Sequence, residues 1–203
     1  YALINNLLKV SVRNRNFLSK SIFPKIKNYR KFKLKIDNNY LTSDTNDENM
    51  SFVYEFSKLM NISKKSFIRT MQSFKGLPHR FEIFMKKKGI TFIDDSKATT
   101  FTATSCAISS LKNIFWILGG LPKKGDKIRL SNYKKNIIKC YLIGKNINFF
   151  KRQLKGKIIF SSSKNLKKAI IQIFKDYKSL KIKKCVILLS PAAASFDQFD
   201  NFK

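Results

Sequence analysis

The stretch ITFIDDSKATTFTATSCAISSLKNIFWILGG, residues 90–120, contains the pattern that decides the fold. It begins with an apolar run that ends at Asp94 and Asp95, continues with helical periodicity over 98–111, and closes with a second apolar run, NIFWILGG. A strand, a helix and a second strand in this order predict two parallel strands joined by a crossover helix.

The same alternation continues downstream of this stretch. Further apolar runs occur in IKCYLIG, KIIFSS and CVILLSP, helical periodicity in 146–154 and 165–180, and a weaker helical signal in LSNYKKNI. Upstream, RFEIFM and ITFIDD flank the turn KKKG, which predicts a hairpin with RFEIFM as an antiparallel strand. We therefore expect an α/β fold: a Rossmann-like, mostly parallel sheet with one antiparallel strand and helices on both faces.

The N-terminal part of the chain follows a different pattern. Apolar residues recur at helical spacing from Met50 to Met60 and again from Phe67 to Phe74, which predicts a helical hairpin that ends at Gly76 and Pro78. Within the basic, asparagine-rich residues 1–45, alternation in FKLKIDNNYLTSD (32–44) predicts a β-hairpin with one buried face.

The composition is strongly basic, with 42 Lys and Arg against 12 Asp and Glu and a formal net charge of +30. Two interpretations stay open: a nucleic-acid-binding surface, or a solvated surface in a chain whose Lys, Asn, Ile and Phe contents are all high. Three widely spaced cysteines and a single histidine indicate a reducing compartment and no metal site. No apolar run reaches the ~20 residues of a membrane span, and no signal peptide is visible, so we expect a cytoplasmic protein.

Candidate ligand-binding residues follow the ends of the predicted strands, because ligands bind beyond the carboxyl ends of parallel strands. The strand-end segments are DDSKAT (94–99), GGLPKKGD (119–126), GKN (144–146), SSSKN (161–165) and SPAAAS (190–195). Three of the five combine small residues with a lysine or a hydroxyl suited to an anionic ligand such as a carboxylate or a phosphate.

Each of these candidates also has a structural interpretation. Asp94, Asp95 and Ser96 are residue types that cap a helix, although capping gives no role to the adjacent Lys97 at the positive end of that helix. Lys123 is one of many lysines, and Ser195 is a common type of helix cap. The chain has no GxxxxGK[ST], GxGxxG or GxSxG motif, which indicates that it forms one part of a larger site.

Four motifs resemble, in order and spacing, the C-terminal domain of the Mur ligases that add D-glutamate during peptidoglycan synthesis. The motifs are GLPHRFE (76–82), IDDSKAT (93–99), ILGGLPKKGD (117–126) and LLSPAAASFDQFDNF (188–202). The resemblance implies that residues 1–76 are the end of the central ATP-binding domain and that 77–203 are a C-terminal domain truncated at its end. It also implies that ATP phosphorylates the carboxylate of UDP-N-acetylmuramoyl-L-alanine, and that the amine of D-glutamate then attacks the acyl phosphate.

The resemblance assigns roles to individual residues. It places Asn46, Asn49, Arg80, Asp95 and Lys97 toward ATP, and it places Thr99, Lys123, Ser195, Phe196 and Phe202 toward D-glutamate. None of these residues is a nucleophile, so Lys97 and Lys123 are expected to position the reactants. The phosphate loop, the UDP-binding domain and the residues that bind Mg²⁺ are expected outside this chain.

The sequence departs from the family pattern at three positions: Thr45 replaces a frequent His, Thr100 a frequent Asn, and Ala193 a frequent Cys. The resemblance further implies a monomer that contacts neither nucleic acid nor membrane. Other hypotheses remain: a different Mur ligase or a folylpolyglutamate synthase-like ligase, a basic nucleic-acid-binding α/β domain, or a fragment that binds nothing specific by itself.

Overall fold

A computed structural model describes residues 34, 36–38, 40–41, 44–123 and 125–194. The chain divides into two compact units, and the division falls between Lys75 and Gly76. None of the helices in the described part combines the length and the apolarity that crossing a membrane requires.

The first unit contains the predicted helical hairpin, which is confirmed. Helix α1 spans Asp44–Leu59 and helix α2 spans Lys64–Ser73. The hydroxyl of Ser63 caps α2 by accepting a hydrogen bond from the backbone N–H of Ser66 at 3.1 Å. Met50 and Phe67 are buried, whereas Val53, Phe56 and Met60 are exposed, so only part of the periodic apolar face is covered.

The β-hairpin predicted at 32–44 falls largely outside the described residues. Leu34, Ile36, Asp37 and Asn38 are described, and they lie in no strand. Instead, the side-chain amide of Asn38 donates to the carbonyl oxygens of Met71 and Phe74, both at 2.7 Å, at the end of α2. This contact holds Asn38 against the C-terminal end of helix α2, where carbonyl oxygens have no partner within the helix.

Within residues 76–123 and 125–194, the second unit forms a six-stranded sheet with the order β1-β2-β6-β3-β4-β5. β1 runs antiparallel to β2, and every other neighbouring pair is parallel, as predicted. The last strand of the unit therefore lies in the middle of the sheet, between β2 and β3. The strands are β1 Glu82–Lys87, β2 Ile90–Asp94, β3 Ile114–Gly119, β4 Ile137–Ile143, β5 Phe160–Lys164 and β6 Cys185–Leu189.

Helices cover both faces of this sheet, which confirms the expected layers. On one face, Trp116 and Leu118 of β3 pack with residues of α3 (Phe101–Ser110) and α4 (Ile147–Leu154). On the other face, Phe115 and Ile117 pack with residues of α5 (Leu166–Ser179). Every residue of β3 is buried, which explains its continuous apolar run.

Two local predictions have different outcomes. The KKKG turn joins β1 to β2 with positive φ at Lys88 (48°) and Gly89 (82°), as a tight hairpin turn requires. The helix predicted at LSNYKKNI is wrong, because only Lys134–Asn136 form a single 3₁₀ turn.

Candidate functional site

Three of the predicted strand-end segments meet beyond the carboxyl ends of the strands. They follow β2, β6 and β3, which are neighbours in the strand order. The backbone N–H of Ala192 donates to the carbonyl oxygen of Ala98 at 3.0 Å, and Leu121 and Ala194 exchange a pair of backbone hydrogen bonds at 2.6 and 3.2 Å. The segments 94–99, 119–123 and 190–194 thus form one hydrogen-bonded platform.

The two glycines at the end of β3 allow neighbouring backbone to come close, from β4 at Gly119 and from the 190–194 segment at Gly120. Gly119 and Gly120 have φ of 145° and 132°. A methyl group on Gly119 would overlap the carbonyl oxygen of Ile143, and one on Gly120 would overlap the carbonyl oxygen of Ala194. The absence of a side chain at these two positions therefore makes room for neighbouring backbone.

Asp95 lies inside the platform with 8% of its surface exposed. One carboxylate oxygen accepts a hydrogen bond from the backbone N–H of Phe81 at 3.1 Å, and the other accepts one from the hydroxyl of Ser190 at 2.7 Å. Burial raises the pKa of Asp95 from its ordinary value to about 6, although the Ser190 hydrogen bond and the charge of Arg80 act in the opposite direction. Asp95 therefore changes its protonation state in the weakly acidic range.

Asp94 lies nearer to the surface and has different partners. Its carboxylate oxygens lie 2.8 Å from Nδ1 of His79 and 2.9 Å from the backbone nitrogen of Ser96. Burial acts to raise the pKa of Asp94, but the hydrogen bonds from His79 and Ser96 outweigh it and hold this pKa below its ordinary value. Two adjacent carboxyl groups thus ionise in different pH ranges.

His79, Glu82 and Asp94 form a group that the sequence did not reveal. Their nitrogen and oxygen ligand atoms lie within 4.8 Å of one another, a spacing compatible with one metal ion. The group arises because β1 pairs with β2 and brings Glu82 opposite Asp94. In the structure these residues hydrogen-bond with one another, since the backbone N–H of His79 also donates to Glu82 at 2.8 Å.

Ser190 is a central residue of the platform that the sequence reasoning missed. It is fully buried, and its hydroxyl oxygen lies 2.7 Å from Asp95 and 2.8 Å from the hydroxyl oxygen of Thr104 on α3. Its carbonyl oxygen accepts a 2.8 Å hydrogen bond from the indole nitrogen of Trp116. One signal was available, because Ser190 is the first polar residue after the apolar run CVILL.

The segment after Asp95 carries Lys97 and Thr99, both half-buried. The backbone N–H of Lys97 donates to the carbonyl oxygen of His79 at 3.0 Å, which connects this segment to the loop that contains Arg80. The alternative that Asp94, Asp95 and Ser96 cap the next helix is wrong. Helix α3 begins at Phe101, and its cap is Thr100, whose hydroxyl accepts from the backbone N–H of Ala103 at 3.3 Å.

Lys123 is exposed at the outer end of the 119–123 segment. Its backbone N–H donates to a carboxylate oxygen of Asp126 at 2.8 Å, and the N–H of Asp126 donates back to the carbonyl oxygen of Lys123 at 3.1 Å. This closed turn fixes the backbone that carries the Lys123 ammonium group. Arg80 is likewise exposed, beside the Phe81 N–H that contacts Asp95.

The other sequence-predicted residues lie on the first unit or outside the described residues. Asn46 and Asn49 lie on α1 of the first unit, where the side-chain amide of Asn46 donates to the carbonyl oxygen of Tyr40 at 2.9 Å. Ser195, Phe196 and Phe202 fall outside the described residues.

The platform combines chemical groups that suit an anionic, hydroxyl-bearing ligand. Arg80, Lys97 and Lys123 supply cations from three segments that are linked, directly or through the 190–194 loop, by backbone hydrogen bonds. Asp95 supplies a fixed carboxylate that can accept hydrogen bonds from hydroxyl groups. Groups of these types are suited to binding and orienting reactants, and none of them is a nucleophile.

Comparison with known proteins identifies relatives for most of the chain. The chain is 34% identical over 214 residues to a UDP-N-acetylmuramoylalanine–D-glutamate ligase from Wolbachia pipientis wMel; the match covers 98% of the chain and 42% of that relative. The chain therefore spans about two fifths of the length of this relative. No family profile matches the chain.

Two solved structures share the fold. MurF from Acinetobacter baumannii superposes with a TM-score of 0.58 at 14% identity, over 78% of this chain and 36% of that chain. A bifunctional folylpolyglutamate synthase/dihydrofolate synthase from Yersinia pestis, complexed with AMPPNP and a Mn ion, superposes with a TM-score of 0.56 at 15% identity, over 79% of this chain and 38% of that chain. At these identities the likeness establishes the α/β fold alone.

Proposed function

Since the chain is a relative of the UDP-N-acetylmuramoylalanine–D-glutamate ligases over about a third to two fifths of their length, we propose that it forms the C-terminal part of such an enzyme, preceded by the end of the central domain. The reaction joins D-glutamate to UDP-N-acetylmuramoyl-L-alanine at the expense of ATP. In this role the chain binds and orients reactants, and the phosphate loop and magnesium ligands belong to other parts of the enzyme.

One observation carries the proposal. The three segments that contain Asp95, Lys123 and Ala193 match the family's motifs, and they are far apart in the sequence. In the structure they are neighbours, because β6 lies between β2 and β3. Such convergence of motif-bearing loops beyond the carboxyl ends of neighbouring strands is expected of a binding site.

We assign Arg80, Asp95 and Lys97 to the nucleotide side of the site, and the family resemblance also assigns Asn46 and Asn49 of the first unit to ATP. A guanidinium group suits phosphate oxygens, and a carboxylate suits the hydroxyl groups of a ribose. The burial of Asp95 and its two hydrogen bonds support this role, because they hold the carboxylate in one orientation.

The amino-acid side consists of Thr99 and Lys123, together with Ser195, Phe196 and Phe202. D-Glutamate carries two carboxylates, so its binding requires cations and hydrogen-bond donors. Lys123 supplies an ammonium group on a turn closed by Asp126, and Thr99 supplies a hydroxyl on the same segment as Lys97. Positive groups fixed in this way also stabilise the negative charge that develops when an amine attacks an acyl phosphate.

The test is ADP formation by the chain fused in frame to the N-terminal part of the Wolbachia pipientis relative, with that full-length relative as the positive control. ADP release should require both D-glutamate and UDP-N-acetylmuramoyl-L-alanine. Activity with L-lysine or meso-diaminopimelate in place of D-glutamate would contradict the proposed substrate.

Binding to the chain alone provides a second test that does not depend on the fusion. D-Glutamate should shift the amide NMR signals of Thr99 and Lys123, and L-glutamate at the same concentration should shift them less. A chain that responds equally to both, or that instead binds nucleic acid with a steep dependence on salt, would contradict the proposal.

A further inference from the structure

We propose that Ser190, supported by Thr104, is a positioning residue that orients the Asp95 carboxylate toward the nucleotide. This inference rests on the proposed function, because it assumes that Asp95 faces ATP. It adds two residues, on β6's end and on α3, to the groups on which nucleotide binding depends.

Asp95 is held through both of its carboxylate oxygens. Ser190 contacts one carboxylate oxygen at 2.7 Å, and the Phe81 N–H contacts the other at 3.1 Å. Two donors on different oxygens fix the plane of the carboxylate. A carboxylate has about four acceptor positions, so about two are left for the hydroxyl groups of a ligand.

Ser190 itself has little freedom to move. Its N–H donates to the carbonyl oxygen of Ile117 at 3.2 Å, and its carbonyl oxygen accepts from the Trp116 indole at 2.8 Å. Pro191 follows directly, which restricts the backbone of the preceding residue to extended conformations. The hydroxyl of Ser190 therefore reaches Asp95 from a fixed backbone.

The hydrogen bonds between Thr104, Ser190 and Asp95 run in one direction, toward the carboxylate. Ser190 has one hydroxyl hydrogen, and an ionised Asp95 is only an acceptor, so this hydrogen points to Asp95. Thr104, whose hydroxyl oxygen lies 2.8 Å away, must then donate to Ser190. A chain of hydroxyls aligned toward the carboxylate favours its charged form, and each bond strengthens the next.

Other charged groups also face Asp95 and enter the pH dependence. Arg80 favours the ionised form, whereas Asp94 opposes it. Asp94 is in turn paired with His79 at 2.8 Å. Ser190 differs from these groups because it is neutral, so its effect is confined to the orientation and protonation of Asp95.

The test compares Ser190→Ala with Thr104→Val and Thr104→Ser in the active fusion enzyme. Ser190→Ala should raise the KM for ATP about 10-fold, as expected for losing a hydrogen bond to a charged group, and should leave the KM for D-glutamate within about 2-fold. The acid limb of the pH profile of kcat/KM for ATP should move upward by about half a pH unit or more. Thr104→Val should act in the same direction but more weakly, and Thr104→Ser should restore the wild-type profile.

A binding-independent readout keeps the inference testable if the fusion is inactive. NMR titration of the Asp95 side-chain carbon in the full chain should give a higher midpoint in Ser190→Ala than in the wild type. Failure of the wild-type enzyme to use ATP and D-glutamate would overturn the proposed function, whereas unchanged ATP kinetics and an unchanged Asp95 titration in Ser190→Ala would overturn the role of Ser190. Equal losses for both substrates in a folded variant would also overturn it, because they indicate a merely structural residue.

Discussion

The indole nitrogen of Trp116 donates a 2.8 Å hydrogen bond to the carbonyl oxygen of Ser190, although 74 residues separate the two in the chain. Trp116 is the single tryptophan of the sequence, and its side chain is fully buried in β3. A backbone carbonyl in such a place needs a donor, because water cannot reach it. The bond thus connects the core of the sheet to the platform beyond the carboxyl ends of its strands.

Trp116→Phe should lower the free energy of unfolding by about 2 to 4 kcal/mol, because it leaves the Ser190 carbonyl unpaired and reduces the buried volume. Urea denaturation followed by circular dichroism measures the loss. Phe115→Leu on the opposite face is a suitable control, since it removes volume without a hydrogen bond. If the two variants lose equal stability, the hydrogen bond contributes nothing beyond packing.

Asp95→Asn should become more stable relative to the wild type as the pH rises. The pKa of Asp95 is about 6 in the folded chain and 3.8 ordinarily, so the unfolded state loses its proton first and is favoured between these values. A gap of about two pH units corresponds to about 3 kcal/mol, which the wild type loses on going from about pH 4 to about pH 7 and the variant does not. Urea denaturation at a series of pH values measures the difference.

Asp176→Asn supplies a control of opposite sign. Asp176 accepts hydrogen bonds from Lys139 at 2.7 Å and Tyr141 at 2.6 Å, and although burial acts to raise its pKa, these bonds lower it below 3.8. Its stabilising contribution is therefore present above that value and lost as the pH falls through the folded pKa. Asp176→Asn should be less stable than the wild type at neutral pH, with the gap closing in acid. A gap that changes in the same direction for both variants would contradict the assignment.

Gly119→Ala should destabilise the chain much more than Gly125→Ala. Both glycines have positive φ, 145° and 86°, so both substitutions strain the backbone. Only at Gly119 does the added methyl group overlap a backbone carbonyl, whereas nothing lies within 4 Å at Gly125. We expect about 1 kcal/mol at Gly125 and at least about 3 kcal/mol at Gly119, measured by thermal or urea unfolding. Similar losses at the two positions would show that the 119–121 backbone can move away from β4.

Lys123→Ala should raise the KM for D-glutamate about 10-fold or more and leave the KM for ATP within about 2-fold, because a charge-assisted contact to a carboxylate is lost. Lys127→Ala is the matched control, since Lys127 is exposed and lies one residue beyond Asp126. Asp95→Ala should give the reverse pattern, with the larger effect on ATP. Steady-state kinetics of the fusion enzyme with each substrate varied in turn would reveal equal effects on both substrates, which would contradict the division of roles.

Most of the second unit could be predicted from the sequence because each strand is a short apolar run bounded by turn residues. The run in β3 is continuous since both faces are covered, and the β1–β2 turn carries the lysine–glycine pair that a tight hairpin accommodates. The strand order was not predicted. Nothing local in CVILL indicates that it pairs with β2 on one side and β3 on the other, because pairing depends on contacts between distant residues.

The candidate site could be located from the sequence, but its internal contacts could not. Strand ends indicated the segments that contain Lys123 and the Asp94–Asp95 pair, and only the family resemblance selected Asp95. The burial of Asp95 relative to Asp94 depends on β6 lying next to β2. The role of Ser190 could not be predicted, because a serine after an apolar run usually indicates only the end of a strand. Its importance comes from Thr104 and Trp116, which reach it from another helix and another strand.

The central position of β6 has a consequence for the order in which the chain is made. Synthesis proceeds from the N-terminus, so the β1–β2 hairpin and the β3–β4–β5 set are synthesised before Cys185–Leu189. Until then β2 and β3 each present an unpaired inner edge, and the sheet consists of two separate halves. The nascent chain should therefore remain susceptible to proteases and able to bind chaperones until this strand is inserted. The platform beyond the carboxyl ends of the strands can form only after that late step.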